Sequence, residues 1–391
     1  MDKQWALEKL FGDAAAIFSE EGLKERLKSG RRLKVKFGAD PSRPDLHLGH
    51  SVVLRKLKLL QDLCNEIIFV IGDFTGMIGD PSGKSKTRPP FTFDQTRRNG
   101  QTYFDQVTKI LDTEKTRIEY NAKWLGSLNF ADVLHLCGQY TVARILERDD
   151  FAARLSDGRA IGMHELLYPL MQGYDSVALG CDIEVGGTDQ TFNLLVGREL
   201  QKSYGQRPQE VITFPLLKGL DGVEKMSKSL DNYIGIDEPA DTMFEKCMKV
   251  KDSLLGDYFR LTSDLSEDAY LPLITSDIRA AHIKYAMTIT TMYHDPEKAK
   301  QAKTRYLRVA AGEAPVSIPE HALPAGCQPL ARVLVSSGLA ASISEARRLM
   351  AQGGIAVDGE IVTNVQQEVE GRASLLLRRG KNRFARVTFE Q

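Results

Sequence analysis

The chain has 391 residues, 42% hydrophobic and 27% charged, with 52 basic residues balanced by 52 acidic ones. That length predicts two or three domains with a sizeable core, and the composition is that of an ordinary soluble globular protein. Zero net charge excludes a globally basic nucleic-acid binder, so any such role must come from a local patch. No apolar run approaches the roughly 20 residues that cross a bilayer. The start, "MDKQWALEKLFGD", lacks the apolar core of a secretory signal. Five scattered cysteines (Cys64, Cys137, Cys181, Cys247, Cys327), with no Cys-x-x-Cys pair, predict reduced thiols and a cytoplasmic location.

In chain order, "LKVKFGAD" reads as a strand, and "SVVLRKLKLLQDL" after it reads as an amphipathic helix. Between them lies "PDLHLGH", with His47 and His50 flanking Leu48 and Gly49. Three readings compete there: a metal site, a histidine-rich helix cap, or a grip on an anion. Zinc on a helix usually takes His at i and i+4 with a third ligand, and no such partner is evident nearby. A helix beginning near His50 would instead present free N–H groups and a positive dipole end, which suit phosphate. Gly49 would let a flat ligand approach.

The next strand, "EIIFVIGDF" (Glu66 to Phe74), is apolar throughout, as expected when both faces of a parallel sheet are covered. It runs into "GMIGDPSGKSKTR". This stretch fails the P-loop pattern, because three residues rather than four separate Gly79 from Gly83. Asp80 stands at a strand end, placed to hold a cationic group such as an ammonium. Residues 91–180 read as a helical insertion. Within it, "LLYPLMQGYDSVAL" puts Tyr168, Gln172 and Asp175 at i, i+4 and i+7, on one helix face. A polar stripe at that spacing is either a solvated surface or the lining of a pocket.

"CDIEVGGTDQ" is a further short strand, and "TFNLLVGREL" a further helix. Strand, loop and helix in repetition predict a doubly wound, Rossmann-type parallel α/β sheet over residues 1–236. "EVITFPLLKGLDGVEKM" reads as a hairpin turning at Asp221-Gly222. It leads into "EKMSKS", two lysines around Met-Ser, which taken alone is either an exposed basic loop or one that closes over phosphates. Residues 237–310 are expected to be helical. The Pro-rich stretch 311–329 reads as a linker, and 330–391 as a small α+β domain. That last segment carries nine Lys/Arg against six acids, and five of the nine lie in "RRGKNRFAR".

The joint occurrence of His-x-Gly-His after the first strand and Lys-Met-Ser-Lys-Ser near the end of the sheet domain resembles the class I aminoacyl-tRNA synthetases. The Tyr168/Gln172/Asp175 pattern followed by "GGTDQ" is similar to their tyrosyl branch. "SEARRLMAQGGIAVDGEIV" resembles the small RNA-binding fold shared with a ribosomal protein and pseudouridine synthases.

The resemblance implies an enzyme that joins tyrosine to its tRNA with ATP and Mg²⁺, as a homodimer. It implies catalytic roles for His47, His50, Lys225 and Lys228 on the ATP phosphates. It implies ATP contacts at Ser42, Gly49, Gly187, Asp189, Lys84, Arg88, Met226, Ser227 and Ser229. Asp40, Asp80, Tyr168, Gln172, Asp175 and Gln190 would bind tyrosine. Lys36 stands where commoner bacterial members have a tyrosine that bonds the phenol, so it either orients Asp175 or faces away. Arg347, Arg348, Arg378, Arg379, Lys381 and Arg383 would meet tRNA backbone. The nearest rivals are a tryptophanyl relative, a non-catalytic RNA-binding protein and a small HxGH nucleotidyltransferase. The polar helix face, the two motifs and the basic tail, respectively, count against them.

Overall fold

The computed structural model describes residues 3–40, 46–81, 95, 100, 103, 106–311, 318–370, 374–380 and 383–390. The chain divides into two compact units: Met1–Pro239 with Lys246–Ile289, and Ala240–Glu245 with Thr290–Gln391.

The first unit is built on a six-stranded sheet: β1 (Ala16–Phe18), β2 (Lys34–Ala39), β3 (Glu66–Ile71), β4 (Thr116–Tyr120), β5 (Ile183–Gly187) and β6 (Glu210–Phe214). Their order across the sheet is β1-β6-β5-β2-β3-β4. Only β1 runs antiparallel, against β6. Ile67 to Ile71 of β3 are almost wholly buried, with helices and loops covering both faces. Each such aliphatic side chain contributes about 1.5–3 kcal/mol by leaving water.

From β2 the chain winds outward through β3 to β4, then returns to place β5 on the other side of β2. The strand order therefore reverses between β2 and β5. In doubly wound sheets the crevice above that reversal is where ligands bind. The expected α/β class holds, with one difference in the insertion. Residues 116–120, "TRIEY", form β4 rather than helix. This strand is short, half-exposed and alternates polar with apolar residues, so it carries no long apolar signal.

Two helices pack closely behind the crevice. Met163–Leu179 ends at Gly180, which adopts the left-handed conformation at φ 57°. It crosses Thr191–Ser203 at Gly173, where an added Cβ would lie 2.8 Å from Leu200 and 3.2 Å from the amide nitrogen of Gly197. Only a residue without a side chain fits there, and that contact draws Gln172 toward Gln190. The expected hairpin is a short one: Lys218 bridges Lys225, and the amide of Gly219 donates to Glu224 O at 2.8 Å. Its predicted first strand instead joins the main sheet as β6.

The helices of 237–310 are present but are shared between the two units. The second unit also carries β7 (Glu320–Pro324), β8 (Cys327–Pro329), β9 (Ile355–Val357), β10 (Glu360–Ile361), β11 (Glu368–Glu370), β12 (Leu375–Arg379) and β13 (Arg383–Glu390). Five strands form one sheet in the order β10-β9-β12-β13-β7, and β11 pairs with β8. Helices Leu330–Ser336 and Ile343–Ala351 complete a core of Leu330, Val333, Leu334, Met350, Ile355, Leu377 and Val387. Here the linker expectation needs correcting, because residues 320–324 and 327–329 are strands of this unit. Prolines at the strand ends and half-exposed side chains hid them. Among the described residues no helix is long and apolar enough to cross a membrane.

Candidate active site

The histidine motif is, first of all, a helix cap. His47 is the N-cap of Leu48–Asp62 in an extended conformation. Its Nδ1 accepts from the amide of Gly49 at 3.2 Å, and Nδ1 of His50 accepts from the amide of His47 at 3.2 Å. A ring nitrogen that accepts carries no proton, so each neutral imidazole keeps its proton on Nε2. Burial holds His47 well below the ordinary imidazole range, with His50 and Lys225 adding to it. Burial also lowers His50 to about 4, against the pull of Asp189. Near neutral pH both are therefore uncharged N–H donors, their rings 4.0 Å apart at a helix N-terminus. The cap and anion readings turn out to be compatible.

The lysine loop reaches the same place. The segment around His47 is bridged to Gly235, and the amide of Leu48 donates to Ile234 O at 2.9 Å. Met226 is buried, and a Cβ on Gly49 would lie 3.5 Å from its Cβ. Met226 thus tethers the loop to the histidine motif. Lys225 Nζ meets Asp189 Oδ2 at 2.8 Å, at the carboxyl end of β5 beside Gly187. Lys228 lies over the ring of Tyr233 at 5.4 Å, and that ring is 6.2 Å from His47. The buried Asn232 holds the loop: its Oδ1 accepts from Ser227 N at 2.7 Å, and its Nδ2 donates to Lys225 O at 3.2 Å. Ser227 and Ser229 share a hydroxyl contact of 2.8 Å.

The polar helix face lines the inside of the crevice, not the surface. Tyr168 is buried and donates to Asp40 Oδ2 at 2.8 Å, while Thr75 donates to Asp40 Oδ1 at 2.8 Å. Burial, with Asp40 and Asp80 nearby, keeps the Tyr168 hydroxyl well above the usual phenol range. Gln190 donates to Asp80 Oδ2 at 2.7 Å, and Asn193 donates to Gln190 Oε1 at 3.1 Å. Gln172 Oε1 is buried with no hydrogen-bond partner among the described residues. An acceptor so placed is costly unless a donor arrives, and an ammonium would supply one.

Asp175 is 3% exposed and accepts from Trp124 Nε1 at 2.7 Å and Asn121 Nδ2 at 3.4 Å. Burial pushes its carboxyl up to about 7, against the opposing pull of Lys36. Asn121 Nδ2 also lies 3.0 Å from Thr75 Oγ1, which closes a polar chain from Tyr168 through Asp40 to Asp175. Gly72 makes room for it, since a Cβ there would lie 1.9 Å from Asp40 Oδ1.

Thr75, Asn121, Trp124, Glu184, Asn232 and Tyr233 were not among the expected site residues. Thr75, Asn121, Trp124 and Glu184 act on partners far along the chain, whereas Asn232 braces its own loop; of the six, only Thr75, Asn121 and Trp124 gave a hint, by following a strand closely. Ser42, Lys84, Arg88 and Lys381 lie outside the described residues. Lys36 does not face a ligand, because its ammonium is enclosed by Glu184, Gln172 and Ser176. In the second unit Arg347, Arg348 and Arg383 are exposed and Arg378 is half-exposed. Arg379 departs from the expected set. It donates to Leu339 O at 2.7 Å and to Glu345 Oε1 at 2.9 Å, and so ties β12 to the helix pair instead of offering a free charge.

A crevice that gathers neutral histidine donors, a lysine loop and a polar pocket with a buried, unmatched acceptor has the make-up of a class I amino-acid-activating synthetase. Comparison with known proteins agrees. Residues 28–309 match the family of class I tRNA synthetases (W and Y), and residues 328–373 match the S4 domain. A tyrosine–tRNA ligase from Shewanella oneidensis is 49% identical over 95% of this chain and 95% of its own. One from Deinococcus radiodurans is 48% identical over 96% and 94%. A tyrosyl-tRNA synthetase structure from Archaeoglobus fulgidus, complexed with L-tyrosine, superposes with a TM-score of 0.61 at 22% identity. It covers 78% of this chain and 100% of that one. The chain belongs to the tyrosine–tRNA ligase family.

Proposed function

We propose how the residues of this site carry the ligase reaction, in which tyrosine is activated by ATP and passed to tRNA. The observation that supports it best is the convergence of Gly49, Met226 and the Lys225–Asp189 pair at the switch between β2 and β5.

Asp175 accepts the phenol hydroxyl of tyrosine. Asp80, Gln172 Oε1 and the Tyr168 oxygen receive the ammonium, Asp40 orients Tyr168, and Gln190 lies toward the substrate carboxylate. ATP binds with its phosphates over the N-terminus of Leu48–Asp62 and its ribose near Gly187 and Asp189. The tyrosine carboxylate attacks the α-phosphorus: an acyl–oxygen–phosphorus bond forms, the bond to the bridging oxygen breaks, and pyrophosphate leaves. Nε2–H groups of His47 and His50 donate to the growing charge. Lys225 exchanges Asp189 for phosphate and, with Lys228, holds the leaving pyrophosphate. Such chemistry asks for positioning and charge stabilisation above all. A terminal ribose hydroxyl of tRNA then attacks the acyl carbon and releases AMP.

Among the described residues no group of three His, Cys, Asp or Glu side chains is built to hold a metal. Magnesium carried by the nucleotide would neutralise phosphate charge. The S4 unit holds tRNA backbone through Arg347, Arg348, Arg378 and Arg383. Phe130 (76% exposed) and Leu134 (57%), one turn apart, support a homodimer across the insertion. Paired Phe130→Asp and Leu134→Asp substitutions should then halve the mass seen in sedimentation. The five free cysteines support a cytoplasmic location.

ATP–pyrophosphate exchange with each of the twenty amino acids tests the assignment. Exchange should require tyrosine; preference for tryptophan, or no exchange at all, would overturn it.

A further inference from the structure

We propose that Lys36 and Glu184 form a buried charge clamp that positions Asp175 and sets its ionisation without touching tyrosine; this rests on Asp175 being the phenol acceptor. Lys36, on β2, is 0% exposed, and Glu184, on the neighbouring β5, is 1% exposed. The ammonium lies 2.8 Å from Glu184 Oε1, 3.0 Å from Gln172 O and 2.8 Å from Ser176 Oγ. Two hydrogen bonds and one ion pair thus hold a fully buried ammonium away from any ligand.

Its contacts with the helix are informative. Gln172 and Ser176 are one turn apart and bracket Asp175, so the clamp grips the turn that presents the carboxylate. Ser176 passes the contact on, donating to Glu184 Oε2 at 3.1 Å, where Gln209 Nε2 also donates. From the opposite side Trp124 and Asn121 fix the two carboxylate oxygens. Asp175 is therefore held in direction by neutral donors and in charge by the Lys36–Glu184 pair.

The charged and titratable groups around it can be named element by element. Lys36 faces it from β2, Glu184 from β5 and Tyr168 from its own helix, with Asp40 and Asp80 beyond Tyr168. Cys181, near Lys36, is a buried thiol whose pKa is pushed up to about 12, so it stays neutral. Asp73, on the loop after β3, accepts from the amide of Ala122 at 2.9 Å. Burial drives the Asp175 carboxyl toward neutrality, Lys36 opposes this and Glu184 adds to it. The pair thus acts on Asp175 with two opposite signs, and its two halves can be removed separately.

The test is the pH dependence of tyrosine KM in pyrophosphate exchange between pH 5.5 and 8.5. Wild type should show KM rising as pH falls through the Asp175 transition. Lys36→Met leaves two carboxylates facing each other and should move that limb to higher pH by roughly one unit or more. Glu184→Gln leaves Lys36 to favour the Asp175 anion and should move the limb to lower pH. Opposite shifts, with kcat at high pH altered less than KM, support the clamp. A purely structural role would give no shift, or the same shift in both variants, and either would overturn it. If Lys36→Met fails to fold, Glu184→Gln decides alone: its side chain keeps the shape and one acceptor oxygen while removing the charge, so an unmoved limb refutes the proposal. Asp175→Asn serves as the control. A limb that persists in this variant belongs to another group, and the phenol assignment itself then fails.

Discussion

Lys225 and Asp189 form an ion pair of 2.8 Å between the lysine loop and the carboxyl end of β5. The lysine proposed for the leaving group is held by the residue proposed for the ribose side, so on that reading ATP replaces one anion by another at the same ammonium. Lys225→Met should lower kcat of pyrophosphate exchange by roughly 100-fold, the scale of losing one donor to developing charge. Tyrosine KM should stay within about twofold. Steady-state kinetics at varied ATP and tyrosine check both.

His50 serves two purposes, and one substitution separates them. His50→Asn keeps a side-chain acceptor near the position of Nδ1 for the amide of His47 but removes the Nε2–H donor. The helix should survive while kcat falls at least roughly tenfold. There is also a stability signature. The folded pKa, about 4, lies below the ordinary imidazole value. Between the two, the unfolded chain binds more protons, so His50 makes stability fall as pH drops from about 6.5 toward 4. The slope of Tm against pH in that window should be shallower in the variant.

Gly72→Ala should cripple the pocket from outside it. The new methyl would fall 1.9 Å from Asp40 Oδ1 and 2.3 Å from Thr75 Oγ1, which forces Asp40 off Tyr168. Tyrosine KM should rise at least roughly tenfold, about the cost of one buried hydrogen bond to a charged group. ATP KM measured at saturating tyrosine should change far less.

Asp175→Ala should weaken tyrosine-dependent exchange, leaving Trp124 Nε1 and Asn121 Nδ2 without their acceptor. Losing a buried acceptor for the phenol should cost about 2–3 kcal/mol, roughly 30- to 150-fold in kcat/KM. Preference for tyrosine over phenylalanine should shrink by a similar factor. Parallel exchange assays with the two amino acids measure it.

A chain ending at residue 311 should form tyrosyl-adenylate at close to the full rate and charge tRNA at least roughly tenfold more slowly. The cut belongs there rather than before Leu330, because β7 and β8 pair with β13 and β11. Pyrophosphate exchange and tRNA aminoacylation on the same preparation give the two rates.

The backbone plan was legible where one physical signal dominates. β3 announced itself because five successive apolar residues need two covered faces, and His47 because a helix must start with an acceptor. β4 and β7 were not legible, since short, half-exposed strands carry no apolar run. The pocket divides in the same way. Tyr168, Gln172 and Asp175 share a helix face, so their spacing exposed them. Asn121, Trp124 and Glu184 meet Asp175 or its clamp only after three strands and two helices have converged. Lys36 is the sharpest case: an alternating strand predicts which face it takes, and nothing local says that a buried glutamate waits there.

The parallel register of β7 with the end of β13, Glu320–Pro324 against Arg386–Glu390, joins the first and last strands of the small unit along one seam. A growing polypeptide has every strand of its chemical half once residue 214 is made. The sheet of the small unit can close only once residues 383–390 have emerged. Translation therefore completes the sheet of the first unit well before that of the second.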